Sequence, residues 1–280
     1  MKMIDYHIHT NHSIDAEGNI DEYCARGVKV GLHEICITNH CELDPHRNDT
    51  LIQFGNHQQA FTREALLRMQ NEVTEAKEKY KKQGLTIKFG LEVGYFVGIE
   101  TRLQKLLHGI ELDFLLGSIH CLSSVCIDSS KECTTYFTKY TVQELLNNYY
   151  SAVKELVESH MFDSIGHLDV YKKYGLAFYG DAIKTAPREV LAEVFHLIKE
   201  NNIAFEINTA GFRLLDEFYP ARSIMEHART HGITRITIGS DAHKVADLGV
   251  GLQQGIEYAK SFGFDAVYAF DKRNPIRVKI

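Results

Sequence analysis

Imidazole and carboxylate side chains recur at the ends of short apolar runs along the chain. The first group, His7-Ile8-His9, lies close to the start, and the last, Ser240-Asp241-Ala242-His243, follows the run at 235–239. Between them stand further single residues of the same two types: Asp15, His40, Glu92, His120 and His167. Imidazole nitrogen and carboxylate oxygen are ligands that Zn, Mn and Fe share. The pattern therefore predicts a metal site.

The spacing within these groups supports shared coordination. Side chains alternate along an extended segment, so His7 and His9 face the same side and can bind one ion. An isolated His-x-His pair is weak evidence, but its combination with Glu92 and the last group is strong. Nine candidate ligands exceed what one tetrahedral ion can use. We therefore expect two or three divalent ions, and the sequence leaves the choice among Zn, Mn and Fe open.

The elements that must position these residues alternate between two periodicities. Apolar or β-branched runs typical of strands lie at 3–7, 34–38, 86–92, 113–119, 163–166, 203–208 and 234–239. Helices are predicted over 20–31, 61–83, 99–108, 141–159, 187–201, 220–231 and 250–262. This alternation indicates an α/β protein with parallel strands and helices packed outside.

Candidate ligands at both ends of the chain favour a closed barrel, because closure places the first strand beside the seventh. In such barrels the chemistry lies at the carboxyl ends of the strands, where every candidate ligand falls. Two long loops, 41–60 and 121–140, follow strands on that same side. They could be active-site lids or solvent-exposed loops without a role in the site, and the sequence does not decide between these alternatives.

Composition restricts the class of protein. The 280 residues, with no Pro/Gly/Ser-rich linker, predict a single domain over 1–280. The formal net charge of −6 argues against a nucleic-acid partner. No run is long and apolar enough to span a membrane, and no signal peptide fits, so we expect a soluble, cytoplasmic protein. Six cysteines without a Cys-x-x-Cys pair are expected to stay reduced. The oligomeric state stays open.

These groups together resemble the PHP (polymerase and histidinol phosphatase) family, particularly its histidinol-phosphate phosphatase branch. The resemblance covers nearly the whole chain and implies a distorted (β/α)7 TIM-like barrel with a trinuclear metal site. Asn39 stands where the family commonly has an aspartate. The motifs that carry the resemblance are Asp5-Tyr6-His7-Ile8-His9-Thr10, Thr38-Asn39-His40, Gly90-Leu91-Glu92, Gly117-Ser118-Ile119-His120, Gly166-His167-Leu168-Asp169 and Gly239-Ser240-Asp241-Ala242-His243.

The resemblance also implies how the ligands divide among the ions. Glu92, which has two carboxylate oxygens, would bridge two of them. The three implied groups are His7, His9, Glu92 and Asp241; then Asp15, His40 and His243; and finally Glu92 with His120 and His167.

The reaction implied is hydrolysis of a phosphate monoester, most specifically L-histidinol phosphate in histidine biosynthesis, by attack of a metal-bound hydroxide on phosphorus. Glu92, Asp241 and His243 are the catalytic candidates. The leaving alkoxide needs a proton or a metal, and the sequence does not choose between Asp241 and His243 as its partner.

Three further residues are predicted to bind the substrate. Arg213 follows the sixth strand, and its planar fork suits phosphate. Related histidinol phosphatases place a second basic residue after the Gly-His-x-Asp segment, where this chain has Lys172, a point charge without bidentate geometry. His46, in the first long loop, would meet the substrate's imidazole or alcohol. Two alternatives remain: a phosphoesterase for a nucleotide, sugar phosphate or phosphotyrosine, and a non-catalytic metal-binding or regulatory module.

Overall fold

A computed structural model describes residues 2–280 of the chain. Parallel strands pair in chain order around a barrel, and all seven predicted strands are confirmed. These strands are β1 (Ile4–Asp5), β2 (Glu34–Ile37), β3 (Thr86–Gly94), β4 (Phe114–Ser118), β5 (Ser164–Ile165), β6 (Ala204–Asn208) and β7 (Ile236–Gly239).

Backbone hydrogen bonds bring the two ends of the sheet together. The Tyr6 N–H donates to the Ile238 carbonyl at 3.0 Å, and the His9 N–H donates to the Ala242 carbonyl at 2.9 Å. Next to this seam, the short strand His40–Cys41 extends the line of β2 along β3. The sheet is therefore a nearly closed seven-stranded barrel, as predicted, and its carboxyl ends carry the candidate ligands.

Helices surround the barrel, and the seven predicted ones are confirmed. Each is amphipathic or capped as its sequence suggests; for example, Thr141 and Glu144 form the expected capping box. Over residues 2–280 the α-helices are α1 (Ile20–Val30), α2 (Arg63–Lys81), α3 (Glu100–Leu107), α4 (Cys133–Phe137), α5 (Val142–Glu158), α6 (Lys172–Tyr179), α7 (Arg188–Asn201), α8 (Ala210–Leu215), α9 (Arg222–Thr230) and α10 (Leu252–Ser261). Among residues 2–280, no helix is long and apolar enough to cross a membrane.

Both long loops on the carboxyl side of the barrel are ordered. Loop 41–60 contains a hairpin of strands Leu51–Phe54 and His57–Ala60. Loop 121–140 contains a tighter hairpin and then α4. Arg47 joins the loops because its guanidinium donates to the Glu132 carboxylate at 2.8 Å and to the Ser124 carbonyl at 3.1 Å.

A C-terminal hairpin that the sequence patterns did not predict covers the opposite, amino end of the barrel. Its strands are Ala266–Asp271 and Asn274–Lys279. Phe270 packs on Phe114 with ring centroids 4.9 Å apart, and Arg273 binds the carboxylate of Asp163. This hairpin closes the core on the side away from the candidate site.

Candidate metal centre

Glu92, in the carboxyl half of β3, is the centre of the predicted site. Its carboxylate is completely buried, and imidazole nitrogens of five histidines from four parts of the chain approach it. These nitrogens are His40 Nδ1 at 2.9 Å, His167 Nε2 at 3.0 Å, His7 Nε2 and His120 Nε2 at 3.2 Å, and His9 Nε2 at 3.4 Å from the nearer Glu92 oxygen.

The remaining predicted ligands lie on the outer side of this cluster. Asp241 Oδ1 is 3.4 Å from both His9 Nε2 and His243 Nδ1. Asp15 Oδ2 is 3.6 Å from both His40 Nε2 and His243 Nε2. Asp241 has a φ of 51°, a left-handed conformation that is uncommon outside glycine and that often marks functional sites. The structure thus brings the nine predicted ligand residues into one cluster.

Several buried atoms in the cluster lie close to other ligand atoms but without hydrogen-bond geometry: His7 Nε2, His9 Nε2, His40 Nδ1 and Glu92 Oε2. Buried polar atoms almost always have a partner, and cations satisfy converging nitrogen and oxygen lone pairs. Three sets of ligand atoms lie within 4.8 Å of one another: His7, His9 and Asp241; His9, His40 and His243; and His40, Glu92 and His120. The residues present therefore fit divalent ions. His9 and His40 each belong to two of these sets, whereas the three groups implied by the family resemblance share only Glu92.

Electrostatics act differently on the carboxylate and on the histidines of the cluster. Burial would raise the pKa of the Glu92 carboxyl, but the surrounding histidines, His7 and His120 foremost, hold it well below its usual range. Burial, reinforced by neighbouring His40 and His243, holds the pKa of His9 well below its ordinary value. Although burial lowers the pKa of His7, His40 and His120, neighbouring carboxylates raise it well above its ordinary value, so ions bound there would displace protons from these rings.

Two carboxylates outside the predicted set orient ligand rings. Glu206 Oε1 lies 2.7 Å from His7 Nδ1, and Glu42 Oε1 lies 2.8 Å from His120 Nδ1. Glu206 Oε2 also accepts the His167 backbone N–H at 3.0 Å. Such partners fix the ring orientation and raise the basicity of the opposite nitrogen. Neither residue was predicted, although an acid inside an otherwise apolar strand was a usable signal for Glu206.

Glycines provide the space that these carboxylates occupy. A Cβ at Gly94, in β3, would collide with the carboxylate of Glu42. A Cβ at Gly239, at the end of β7, would collide with both His7 and Glu206. Glycine at these two positions therefore permits the close approach of the ring-orienting pairs.

A cavity of about 480 Å³ opens from the ligand cluster towards the two long loops. Besides ligands, its lining includes Arg47, Asp128 and Lys173. Lys173 Nζ lies 3.9 Å from Asp128 Oδ2. Although burial raises the pKa of Asp128, the neighbouring His120 and Lys173 lower it below its usual value. The cavity wall therefore offers both a cation and an ionised carboxylate.

Lys172, predicted to bind the substrate, does not line this cavity. Its ammonium is buried in an ion pair with Asp169 at 2.7 Å and with Glu217 at 3.1 Å. Asp169 also accepts the Ala221 N–H at 3.0 Å, and Nδ1 of the nearby ligand candidate His167 makes no hydrogen bond. Consecutive helical residues point about 100° apart, and this rotation directs Lys173 rather than Lys172 to the cavity.

The other two predicted substrate residues also lie outside the cavity lining. Arg213 donates to the Ser240 carbonyl at 2.7 Å and to the Asp241 carbonyl at 3.3 Å, so it holds the turn that carries Asp241. His46 lines a neighbouring cavity of about 610 Å³ together with Tyr95. Contact of either residue with substrate stays a prediction.

Comparison with known proteins extends over most of the chain. The PHP domain family model matches residues 5–210. A probable histidinol-phosphatase of Deinococcus radiodurans is 27% identical over 93% of this chain and 94% of its own length. The histidinol-phosphatase of Lactococcus lactis is 26% identical over 96% of this chain and 95% of its own length.

Solved structures agree on the fold. The histidinol phosphate phosphatase of Lactococcus lactis, complexed with Zn, L-histidinol and phosphate, superimposes with a TM-score of 0.78. It shares 22% sequence identity, and the match covers 98% of this chain and 99% of that protein. At this level of identity the likeness establishes a shared architecture.

Proposed function

The chain belongs to the PHP domain family, and from that premise we propose that it is a metal-dependent phosphatase that hydrolyses L-histidinol phosphate to L-histidinol and phosphate. Curated relatives matched along more than nine-tenths of both chains are named histidinol-phosphatases. The reaction would supply L-histidinol for histidine biosynthesis.

The observation that carries the proposal is the convergence of unpartnered ligand atoms around Glu92. Four buried nitrogen and oxygen atoms there lie close to other ligand atoms but without hydrogen-bond geometry, while the opposite nitrogens of His7 and His120 are held by carboxylates. A packing cluster of histidines would satisfy these atoms with one another. We therefore infer that the chain binds two or three divalent ions, of Zn, Mn or Fe, through the nine predicted ligands.

Ions bound there would neutralise charge on the phosphate oxygens and supply hydroxide at neutral pH. The protein's part is to fix the ligands and to orient the ester. Arg213 holds the backbone of the turn at 240–241, so it keeps Asp241 at the mouth of the cluster. Asp241 and His243 both line the cavity, and His243 is the more exposed of the two. We propose that the leaving alcohol lies on this side of the cavity, next to His243.

The cavity wall suits an amino-alcohol phosphate. Lys173 presents a positive charge that can meet the phosphate, and the Asp128 carboxylate can accept the substrate's ammonium. Arg47, which also faces this space, holds the two loops in place around the organic part of the substrate.

The test is a comparison of phosphate release from several esters by protein loaded in parallel with Mn, Zn or Fe. We expect L-histidinol phosphate to be hydrolysed at least about a hundredfold more efficiently, in kcat/KM, than a nucleotide, a sugar phosphate or phosphotyrosine. That preference corresponds to about 2.7 kcal/mol at the transition state. Equal, slow release from all esters would contradict the substrate assignment and favour a broader phosphoesterase.

Metal analysis separates an enzyme from a non-catalytic module. Protein purified without chelator should carry at least two ions per chain, and chelation should abolish phosphate release until metal is restored. Glu111→Gln is a suitable control because this glutamate is exposed far from the cluster. Fewer than two ions per chain, with no activity after metal addition, would contradict the proposal.

A further inference from the structure

The hairpin that begins loop 121–140 places two cysteines directly opposite each other. Cys121 and Cys126 are paired residues of its antiparallel strands, and Leu122 pairs with Val125 next to the turn. Both turn residues have positive φ, which is typical of a tight two-residue type I′ turn. The register of the two cysteines is therefore fixed by the shortest hairpin connection.

The cysteine pair occupies the closer of the two kinds of antiparallel position. On one side Leu122 and Val125 flank the turn, and on the other the Ile127 N–H donates to the His120 carbonyl at 2.9 Å. The intervening pair is therefore the one without backbone hydrogen bonds, in which Cα atoms lie about 4.5 Å apart. Disulfides span Cα separations of about 4.4–6.8 Å. A bond between Cys121 and Cys126 thus requires only small backbone adjustment.

Both sulfur atoms can be reached from the candidate metal centre. Cys121 and Cys126 line the 480 Å³ cavity and are partly exposed, whereas Cys24, Cys36 and Cys41 are fully buried. The Cys126 thiol donates to Asp128 Oδ1 at 2.9 Å. His120 immediately precedes Cys121, and Asp128 follows Cys126 by two residues. The cysteine pair therefore adjoins both a candidate ligand and an acid of the cavity wall.

We propose that Cys121 and Cys126 are a redox modification site, in which a reversible cross-strand disulfide slows turnover at the metal centre. This inference goes beyond the proposed phosphatase function. Formation of the bond removes the thiol hydrogen bond to Asp128 and fixes the separation of the two strands beside His120. Disulfides at strained or exposed positions are the labile, regulatory ones.

The chemistry balances with hydrogen peroxide as the oxidant. The sulfur of one cysteine attacks a peroxide oxygen, the O–O bond breaks, and water leaves, so a sulfenic acid forms. The second sulfur then attacks the first, the S–S bond forms and another water leaves. The protons of both thiols end in the two water molecules, and the two electrons lost by sulfur reduce the peroxide.

Peptide mass measurement tests the modification directly. A tryptic peptide covering 106–131 contains Cys121 and Cys126 and no other cysteine. After the Zn-loaded protein is treated with peroxide, and catalase has removed the excess, we expect this peptide to lose two hydrogens and resist alkylation. Dithiothreitol should reverse both changes. Alkylation of both cysteines after peroxide treatment would overturn the proposal, whether or not the protein is a phosphatase.

Turnover tests the consequence of the bond. Peroxide should slow phosphate release from the wild type several-fold, and dithiothreitol should restore it. Cys126→Ser should keep its own untreated rate after peroxide, because the bond cannot form. Cys133→Ser, which removes a buried cysteine of α4, should respond like the wild type. Equal loss of rate in Cys126→Ser and wild type would show that oxidation acts elsewhere and would overturn the inhibitory role.

Discussion

The inner and outer halves of the candidate metal centre are built differently. The inner half, with His7, His9 and Glu92, lies on strands or directly beyond them, and its side chains are at most 1% exposed. The outer half lies on loops, where the side chains of His243 and Asp15 are 31% and 56% exposed. The centre thus combines a rigid, dry base with a solvent-facing rim.

The supporting contacts differ in the same direction. In the inner half Glu206 holds the ring of His7, and this pair is completely buried. In the outer half the Nε2 atoms of His40 and His243 both face the exposed carboxylate of Asp15. Electrostatic interactions are stronger where water is excluded. We therefore expect the inner half to hold its ions tightly and the outer half to exchange its ion more readily with solvent.

Replacing Glu92 tests the inner half most severely. Glu92→Gln removes the charge that five imidazoles face, and loss of one partner of a buried charged pair costs about 3–5 kcal/mol. If the same free energy is lost from the transition state, turnover falls roughly 10²–10⁴-fold. Metal content by elemental analysis should fall together with phosphate release. Glu111→Gln is the matched control, and retention of full metal content by Glu92→Gln would contradict the central role of this carboxylate.

Replacing Glu206 tests whether a carboxylate that is not itself a ligand helps the inner half to hold its ions. Glu206→Gln keeps the volume but removes the negative charge beside His7 Nδ1. Loss of such partners typically lowers metal affinity or activity about 10–100-fold. The measurement is turnover against free metal concentration, with far-ultraviolet circular dichroism to confirm folding. Glu42→Gln, which affects His120 in the same way, should behave alike; unchanged metal affinity in both variants would contradict the comparison.

Replacing Asp15 tests the exposed rim. Asp15→Asn should remove about one ion per chain and lower turnover roughly tenfold at limiting metal, a loss of about 1.4 kcal/mol in ion binding. The effect is smaller than in the inner half because exposed charges are screened by water. Excess metal should restore most of the activity, since the remaining ligands stay in place. Failure of metal to rescue Asp15→Asn, or loss of all ions, would show that the two halves form one inseparable unit.

The sequence allowed prediction that these nine residues meet in one cluster, because they lie near the carboxyl ends of strands or in the loops after them, and those ends share one edge of a barrel. Their binding of metal stays a prediction. The barrel itself followed from the alternation of two periodicities and from the ligands at both chain ends. The predictions made by resemblance to the family and those made from spacing agreed for these residues. A cluster of polar residues at strand ends can therefore be predicted from one sequence when many of the strands end in such residues.

Contacts that depend on rotation about a helix axis or on loop conformation were not predictable. Lys172 and Lys173 are neighbours in sequence, and only the packing of α6 decides which one reaches the cavity. Glu42 belongs to a loop whose path depends on the space left by Gly94. The C-terminal hairpin covers the amino end through contacts more than a hundred residues apart in sequence, which no local pattern encodes.

The pair Lys172 and Lys173 offers the mildest test of the comparison. Lys173 lines the solvent-facing cavity, whereas Lys172 lies in a buried ion pair behind it. Lys173→Ala should raise KM about tenfold with a smaller change in kcat, since it removes a charge that meets substrate and is worth about 1.4 kcal/mol. Lys172→Met should leave KM unchanged and lower the free energy of unfolding by about 3 kcal/mol, because Asp169 loses its buried partner. Steady-state kinetics and urea unfolding distinguish these outcomes. A raised KM in Lys172→Met, with an unchanged KM in Lys173→Ala, would mean that Lys172 rather than Lys173 contacts the substrate.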